Sequence, residues 1–196
     1  MRAIVLSFAL MVAAAAGCSG RPEPILATPP PPPTGIKTEN FDYTRWAKFK
    51  PGTVIVVRTT TEKEGHPDKS VEVATSTLIS LTEEEAVVES SQQGTRHDGL
   101  NLDTRPLKLP VKRYFYLQEE TKPNDSKGER MEQVTVAGKT YQARVVTGKS
   151  SCEAGEVATT VWASDDVPGG LLKSITRIPA TGKKTTVELV ELKPAG

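Results

Sequence analysis

Alternation of apolar and polar residues is the feature that most constrains the fold of this chain. Residues 71–81 alternate over eleven positions, which is the period of a half-buried β-strand. Residues 53–61 are rich in β-branched side chains, and their apolar run favours a strand that is covered on both faces. Seven further segments have strand character: 86–89, 107–117, 131–136, 141–147, 157–163, 171–178 and 184–192.

The connections between these segments predict antiparallel pairing. Most are too short to hold a crossover helix, which parallel neighbours require. Ala137-Gly138 and Thr181-Gly182 lie between strands, and the Val-Pro-Gly-Gly sequence at 167–170 suits a type II turn. Residues 91–106 and 119–130 are expected to form two long polar loops.

The fold class that follows is all-β, with a single antiparallel sheet domain of about nine strands over residues 41–196. A sheet of this size must cover its apolar face, so we expect it to curl into an open half-barrel or to split into a sandwich. No internal repeat and no second domain is indicated.

A short N-terminal helix or an extended arm precedes the strands. Asn40 is a suitable N-cap, Tyr43 and Trp46 are three residues apart on one helical face, and Pro51-Gly52 ends the element. This segment is expected to cover one end of the core. Alternatively, Trp46 and Phe49 contact a ligand or a partner.

The first 17 residues have the parts of a secretory signal peptide. Arg2 is followed by an apolar run over 3–16 that ends in small residues. The run is shorter than the roughly 20 residues that span a bilayer. Ala14-Ala15-Ala16 also fits ordinary signal peptidase, which would release a soluble chain that begins at Gly17.

Ala15-Ala16-Gly17-Cys18 resembles the lipobox of bacterial lipoproteins. The resemblance implies that Cys18 becomes the first mature residue, that its thiol carries a diacylglyceryl group and that its amine carries an acyl chain such as palmitate. Several acyl chains anchor a protein firmly to a membrane. Ser19, in place of aspartate, implies the periplasmic face of the outer membrane, with the inner membrane or secretion as alternatives.

Residues 18–40 are expected to be a proline-rich tether. Seven of the 15 prolines lie here, five of them consecutive at 29–33. Such a run favours polyproline II, at about 3.1 Å per residue. The tether therefore holds the β domain away from the membrane, unless a partner recognises the prolines.

Charge argues against a nucleic-acid partner. Removal of residues 1–17 takes away one basic residue, which leaves 24 basic and 24 acidic residues. Nucleic-acid surfaces need a basic excess. If Cys18 is lipidated, Cys152 has no intrachain partner, and it is then buried and inert or pairs between chains.

The sequence predicts no cofactor, no metal and no enzymatic activity. His66 and His97 lie in separate polar loops, whereas zinc needs three or four convergent ligands. Gly138-Lys139-Thr140 lacks the upstream glycine of a phosphate-binding loop. The glutamates at 83–85 lie next to a turn and are more simply explained as a solvated surface.

Residues 162–170, Trp-Ala-Ser-Asp-Asp-Val-Pro-Gly-Gly, are the most distinctive internal stretch. Together with residues 46–52 they resemble uncharacterised bacterial predicted lipoproteins, a resemblance that implies no activity. Trp162 is expected to anchor a sheet face. Asp165 and Asp166 mark the end of a hairpin, or they belong to a binding site.

Two functional hypotheses remain. In the first, the domain is a non-catalytic binding module for a hydrophobic envelope ligand or for a protein partner. The analogous half-barrels of periplasmic lipoprotein carriers would then imply an apolar cavity of a few hundred cubic ångströms. In the second, the domain is a structural or assembly lipoprotein with a filled core and an exposed patch near Trp46 or Asp165. The oligomeric state is left open.

Lipidation of Cys18 is directly testable. Mass spectrometry of the mature N-terminus should show a diacylated or triacylated Cys18, and Cys18→Ala should release the protein from membranes because it removes the acylated thiol. A mature chain that begins at an unmodified Gly17 or Met1 would contradict this prediction.

Overall fold

The computed structural model describes residues 35–67, 69–95, 101–117 and 129–196. The described chain contains one α-helix, α1 (Phe41–Trp46). Its strands are β1 (Ile36–Glu39), β2 (Val54–Lys63), β3 (Ser70–Leu81), β4 (Glu85–Thr95), β5 (Asn101–Asp103), β6 (Leu107–Lys112), β7 (Tyr114–Leu117), β8 (Glu129–Val136), β9 (Lys139–Cys152), β10 (Gly155–Ala163), β11 (Leu171–Ile178) and β12 (Lys183–Lys193). The predicted signal peptide and most of the predicted tether lie outside the described residues.

Ten of these strands form one antiparallel sheet, in the order β5-β4-β3-β2-β12-β11-β10-β9-β8, with β6 also paired to β4. β1 and β7 form a separate two-stranded ribbon. The predicted all-β class and the open, curled single sheet are confirmed. None of the helices in the described part of the chain has the length and apolar character needed to cross a membrane.

Two predictions about the middle of the chain were wrong. Residues 91–106 are not one loop, because β4 extends to Thr95 and pairs with β5. Residues 91–95 and β5 are mostly polar and lack the alternation that marks a half-buried strand.

Residues 107–117 are not one strand. The chain turns at Arg113, whose N–H donates to the Glu84 carbonyl at 2.7 Å, and β7 leaves the main sheet to pair with β1. Of the predicted loop at 119–130, residues 129 and 130 belong to β8 and the others lie outside the described residues.

The predicted N-terminal helix is present. Asn40 caps it, since its Oδ1 accepts a hydrogen bond from the Asp42 N–H at 2.9 Å. Tyr43 and Trp46 are buried on its inner face. The Tyr43 hydroxyl donates to the Thr82 carbonyl at 2.6 Å, which fastens the helix to the turn between β3 and β4.

Buried apolar side chains are concentrated at the end of the sheet where α1 packs, which we call the helix end. One cluster joins α1 to β3 and β4 through Tyr43, Trp46, Leu78, Ala86 and Val88. A second cluster joins β8, β9, β11, β12 and the turn after β10 through Val136, Tyr141, Ala143, Val167, Leu172 and Leu189. We call the opposite end, where β2 ends and β12 begins, the far end. Its strands are mostly half-exposed on both faces.

Three β-bulges also lie toward the helix end. They interrupt the registers at Leu78/Ser80, Trp162/Ala163 and Leu189/Glu191. A bulge bends its strand and increases the local twist. The bulges therefore curl the sheet at this end, where β8 contacts β12 although three strands separate them in the sheet order.

Leu78 is a strong test of the helix-end core. It is fully buried, so Leu78→Ala should lower the free energy of unfolding by about 2–5 kcal/mol through lost transfer energy and a residual cavity. Leu107 is 61% exposed, and Leu107→Ala should change the free energy by less than about 0.5 kcal/mol. Urea denaturation measures both, and equal effects would contradict this account of the core.

Candidate functional site

The structure brings Trp46 and the 162–170 stretch together at the helix end. Trp46 is 5% exposed and packs in the core. Phe49 is half-buried against the same cluster. Arg45 and Lys48 both reach the carboxylate of Asp165, at 3.5 and 3.6 Å. A contact role for Trp46 or Phe49 stays a prediction.

Arg45 fastens the helix to the glycine-rich turn. Its guanidinium donates to the Gly169 carbonyl at 3.4 Å. It also lies so close to Gly170 that a Cβ there would come within 2.4 Å of the Arg45 Nε atom. Only glycine leaves room for this contact, and Gly170 also has a positive φ of 73°. The turn at 167–170 is therefore built to receive the Arg45 side chain.

Trp162 and Asp166 have different surroundings. The Trp162 indole N–H donates to Glu132 Oε1 at 3.3 Å, which links β10 to β8 across β9. Asp166 is exposed, and its backbone N–H donates to Ser164 Oγ at 3.4 Å. Burial, and then the negative charge of Asp166, raise the pKa of Tyr141 above its usual value. Binding by Trp162, Asp165 or Asp166 stays a prediction.

A second arrangement lies on the three central strands. Residues directly opposite each other in an antiparallel ladder point to the same face of the sheet. Their registers place three rows side by side across β2, β12 and β11: Arg58–Glu188–Lys173, Thr60–Thr186–Ile175 and Glu62–Lys184–Arg177. We call these nine residues the charged face. It holds four cations and two carboxylates, an excess of two positive charges.

Ion pairs tie the two carboxylates to their neighbours. Glu188 meets Arg58 at 3.3 Å and Lys173 at 3.7 Å. Glu62 meets Lys69 of the loop before β3 at 2.6 Å and Lys184 at 3.5 Å. The Lys69 hydrogen bond, and then the Lys184 charge, hold the pKa of Glu62 below its usual range. Both carboxylates are therefore already partnered, and the cations outnumber them.

Like charges face each other at the far end. Arg177 lies directly opposite Lys184, and Lys183 lies directly opposite Lys63. Like charges in directly opposed positions destabilise a sheet. A negatively charged group bound between Arg177 and Lys184 would relieve that repulsion.

The charged face contains a pocket of about 310 Å³ between β2, β3 and β12. Its lining residues are Arg58, Thr60, Glu62, Val71, Thr186 and Glu188. Of these residues only Val71 is apolar, although methyl and methylene groups of the others also line the pocket. The pocket itself holds one guanidinium, Arg58, and two carboxylates, Glu62 and Glu188. The excess of cations on the charged face therefore lies beside the pocket, at Lys173, Arg177 and Lys184.

Other sequence-predicted groups do not form a site in the described residues. His66 is exposed, and His97 lies outside the described residues. No group of three His, Cys, Asp or Glu side chains in the described ranges is arranged to hold a metal. The buried alternative for Cys152 was wrong, because the thiol is exposed at the hairpin between β9 and β10.

Sequence reasoning missed the charged face, although part of its signal was present. Arg58, Thr60 and Glu62 alternate along β2, and Lys173, Ile175 and Arg177 alternate along β11. The alternation predicts that each set shares a face. It does not say which strands become neighbours, so the excess of cations was not visible.

Comparison with known proteins gives distant structural likenesses. The chain is similar to a candidate exported protein with a YmcC-like fold from Bacteroides fragilis NCTC 9343, with 8% identity and a TM-score of 0.46, covering 74% of this chain and 97% of that chain. It is also similar to a candidate lipoprotein from Parabacteroides distasonis ATCC 8503, with 12% identity and a TM-score of 0.43, covering 74% and 96%.

A third likeness is to a candidate outer membrane lipoprotein-sorting protein domain from Vibrio parahaemolyticus, with 8% identity and a TM-score of 0.26, covering 76% of this chain and 88% of that chain. No protein-family model and no curated protein matches the chain. At these identities and TM-scores the likenesses carry no argument about a ligand, a partner or a location.

The ionisation of Glu62 tests the electrostatics of the charged face. Its lowered pKa means that its contribution to stability is complete above the unfolded-state pKa and is lost as the pH falls through the folded-state pKa. Lys69→Met should raise the pKa of Glu62, because it removes the hydrogen bond that lowers it most. Carboxyl NMR titration measures the change. Lys149→Met, which removes a partner of Glu156 instead, is the control, and equal Glu62 titrations in both variants would contradict the assignment.

Proposed function

We propose that the chain is an exported lipoprotein, held through Cys18 to the periplasmic face of the outer membrane, whose β domain binds an acidic segment of a protein partner without catalysing a reaction. The lipobox-like sequence and the apolar run before it support the anchor. The proline-rich segment supports an extended link between this anchor and the β domain.

The excess of cations on the charged face is the observation that carries the binding proposal. Arg58, Lys173, Lys184 and Arg177 share one face with only two carboxylates. Arg177 and Lys184 are directly opposed like charges, and Glu62 offsets only one of the two. An acidic partner replaces that repulsion with attraction, and complementary charge also speeds encounter.

The dimensions of the charged face favour an extended segment over a small anion. Its three rows are two residues apart along each strand, so the outer rows are separated by roughly 13 Å. The cations lie in both outer rows. A single carboxylate or phosphate reaches only one of these rows, whereas alternate side chains of an extended acidic segment reach both.

The remaining hypotheses predict different surfaces. A hydrophobic ligand needs an enclosed apolar cavity, whereas the pocket on the charged face is open and five of its six lining residues are polar or charged. Assembly through a patch near Trp46 needs exposed apolar surface beside α1. Trp46 itself is buried, whereas Phe41 of the same helix is exposed. Asp165 is exposed, but its carboxylate is already paired with Arg45 and Lys48.

Site-specific photo-crosslinking in the cell envelope tests the proposed partner face. A photoreactive residue at Thr60 or Thr186 lies on the charged face, whereas one at Thr61 or Thr185 lies on the opposite face of the same strands. We expect a discrete protein adduct from positions 60 and 186 and none from positions 61 and 185. Equal adducts from both faces would contradict the proposal, and adducts with lipid alone would favour the hydrophobic ligand.

Charge reversal tests whether the partner is acidic. The double variant Arg177→Glu and Lys184→Glu should reduce the adduct roughly tenfold, since two or more favourable contacts of up to about 1 kcal/mol each are lost. Lys112→Glu, which changes an exposed cation of β6 at the helix end, should leave the adduct unchanged. An adduct that survives the double variant would exclude recognition by these cations.

A further inference from the structure

The ribbon formed by β1 and β7 exposes an unusual amount of aromatic surface. Tyr114, Phe115 and Tyr116 are consecutive and are 39%, 37% and 42% exposed. Across the ribbon, Tyr116 lies opposite Lys37, and Phe115 lies opposite Thr38. Successive residues of a strand point to opposite faces, so aromatic rings are exposed on both faces of this two-stranded element.

Further apolar residues lie next to the ribbon in the chain. Phe41, which begins α1 just after β1, is exposed, as are Ile36 of β1 and Leu109 of β6. The base of the ribbon is joined to the helix end, because the Asn40 N–H donates to the Arg113 carbonyl and the Arg113 N–H donates to the Glu84 carbonyl, both at 2.7 Å. Exposed apolar residues grouped in this way are typical of interaction sites.

Cations surround one ring of the ribbon. Lys37 Nζ lies 4.0 Å from the centroid of the Tyr114 ring, and the Arg113 guanidinium carbon lies 5.3 Å from it. Arg113 also pairs with Glu39 at 3.2 Å. Aromatic rings with basic side chains beside them are the groups that favour the boundary between headgroups and acyl chains.

We propose that the β1–β7 ribbon lies in the headgroup region of the same bilayer that holds the lipid anchor. This inference rests on the proposed anchoring at Cys18. Ile36 begins the first described strand after the proline-rich segment, so the chain arrives from the anchor directly at the ribbon. Both faces of the ribbon carry exposed rings, which suits a headgroup layer that surrounds the ribbon.

Docking of the ribbon would also orient the domain. The ribbon is at the helix end, whereas Lys63 and Lys183 are at the far end of strands of 10 and 11 residues. At about 3.3 Å per residue these ends are separated by roughly 30 Å. With the ribbon at the membrane, the far end projects away from it, toward a partner.

Fluorescent probes on the intact lipoprotein test this orientation. In a Cys152→Ser background, Thr38→Cys places an environment-sensitive probe on the ribbon and Ala180→Cys places one at the far end. The lipidated proteins are reconstituted in vesicles of phosphatidylethanolamine and phosphatidylglycerol that contain nitroxide-labelled lipid. We expect the probe at position 38 to be quenched and the probe at position 180 to be unaffected.

Substitution of the rings tests their role. Tyr114→Thr with Tyr116→Thr keeps residues that favour strands and removes two interfacial rings. Quenching at position 38 should then fall to the level seen at position 180, while flotation with the vesicles is kept by the anchor. Met131→Thr, at a residue of β8 that is 60% exposed, is the control and should leave the quenching unchanged.

The possible outcomes distinguish failure of ribbon docking from failure of the lipid anchor. Flotation without quenching at position 38 would overturn ribbon docking and leave the anchor intact. Failure to float would contradict the lipid anchor. Docking of the ribbon is then tested with the Cys18→Ser chain and excess vesicles: quenching at position 38 supports docking, and its absence overturns docking. A probe signal at position 38 that depends on protein concentration but not on lipid would show that a second copy covers the ribbon, which also overturns the inference.

Discussion

The antiparallel ladder between β2 and β12 holds the two halves of this molecule together. It pairs Val54 with Lys193 and Lys63 with Lys183, residues that are far apart in sequence. On one side of it β3 to β6 form a meander, and on the other β11 to β8 form a second one. Pairing between distant segments is slow, because the entropy cost of closing the long loop is incurred before the contacts between the strands stabilise it. Without this ladder, β2 and β12 would each have one unpaired edge, so the single sheet exists only once the ladder has formed.

The same ladder creates the charged face. Glu188 approaches Arg58, and Lys184 approaches Glu62, only because β12 lies in register against β2. A shift of one residue would turn every one of these side chains to the opposite face. That face is now occupied by small hydroxyl residues such as Thr61 and Thr185, whose side chains hydrogen-bond at 3.3 Å. Register therefore determines both the stability of the sheet and the net charge of its exposed face.

Much of the sheet was predictable from single segments, and much of the candidate site was not. Alternation located most strands, and the Asn40 cap with the spacing of Tyr43 and Trp46 located the helix. The separation of β6 from β7 at Arg113 could not be predicted from the sequence, because apolar residues occur on both sides of it. Hydrogen bonds from Arg113 to Glu84 and from Asn40 to Arg113 turn the chain there. The charged face depends on the pairing of distant strands, which local periodicity does not specify.

The unequal distribution of burial explains how one thin sheet accommodates both a core and a binding surface. Bulges at Leu78, Trp162 and Leu189 curl the helix end, and the turn at 167–170 and α1 complete its packing. Apolar burial at that end supplies the packing free energy. The far end keeps regular ladders and half-exposed faces, so it is held mainly by backbone hydrogen bonds and cross-strand pairs. Because the core does not depend on the far end, that end is free to carry opposed cations such as Arg177 and Lys184, which a tightly packed core would exclude.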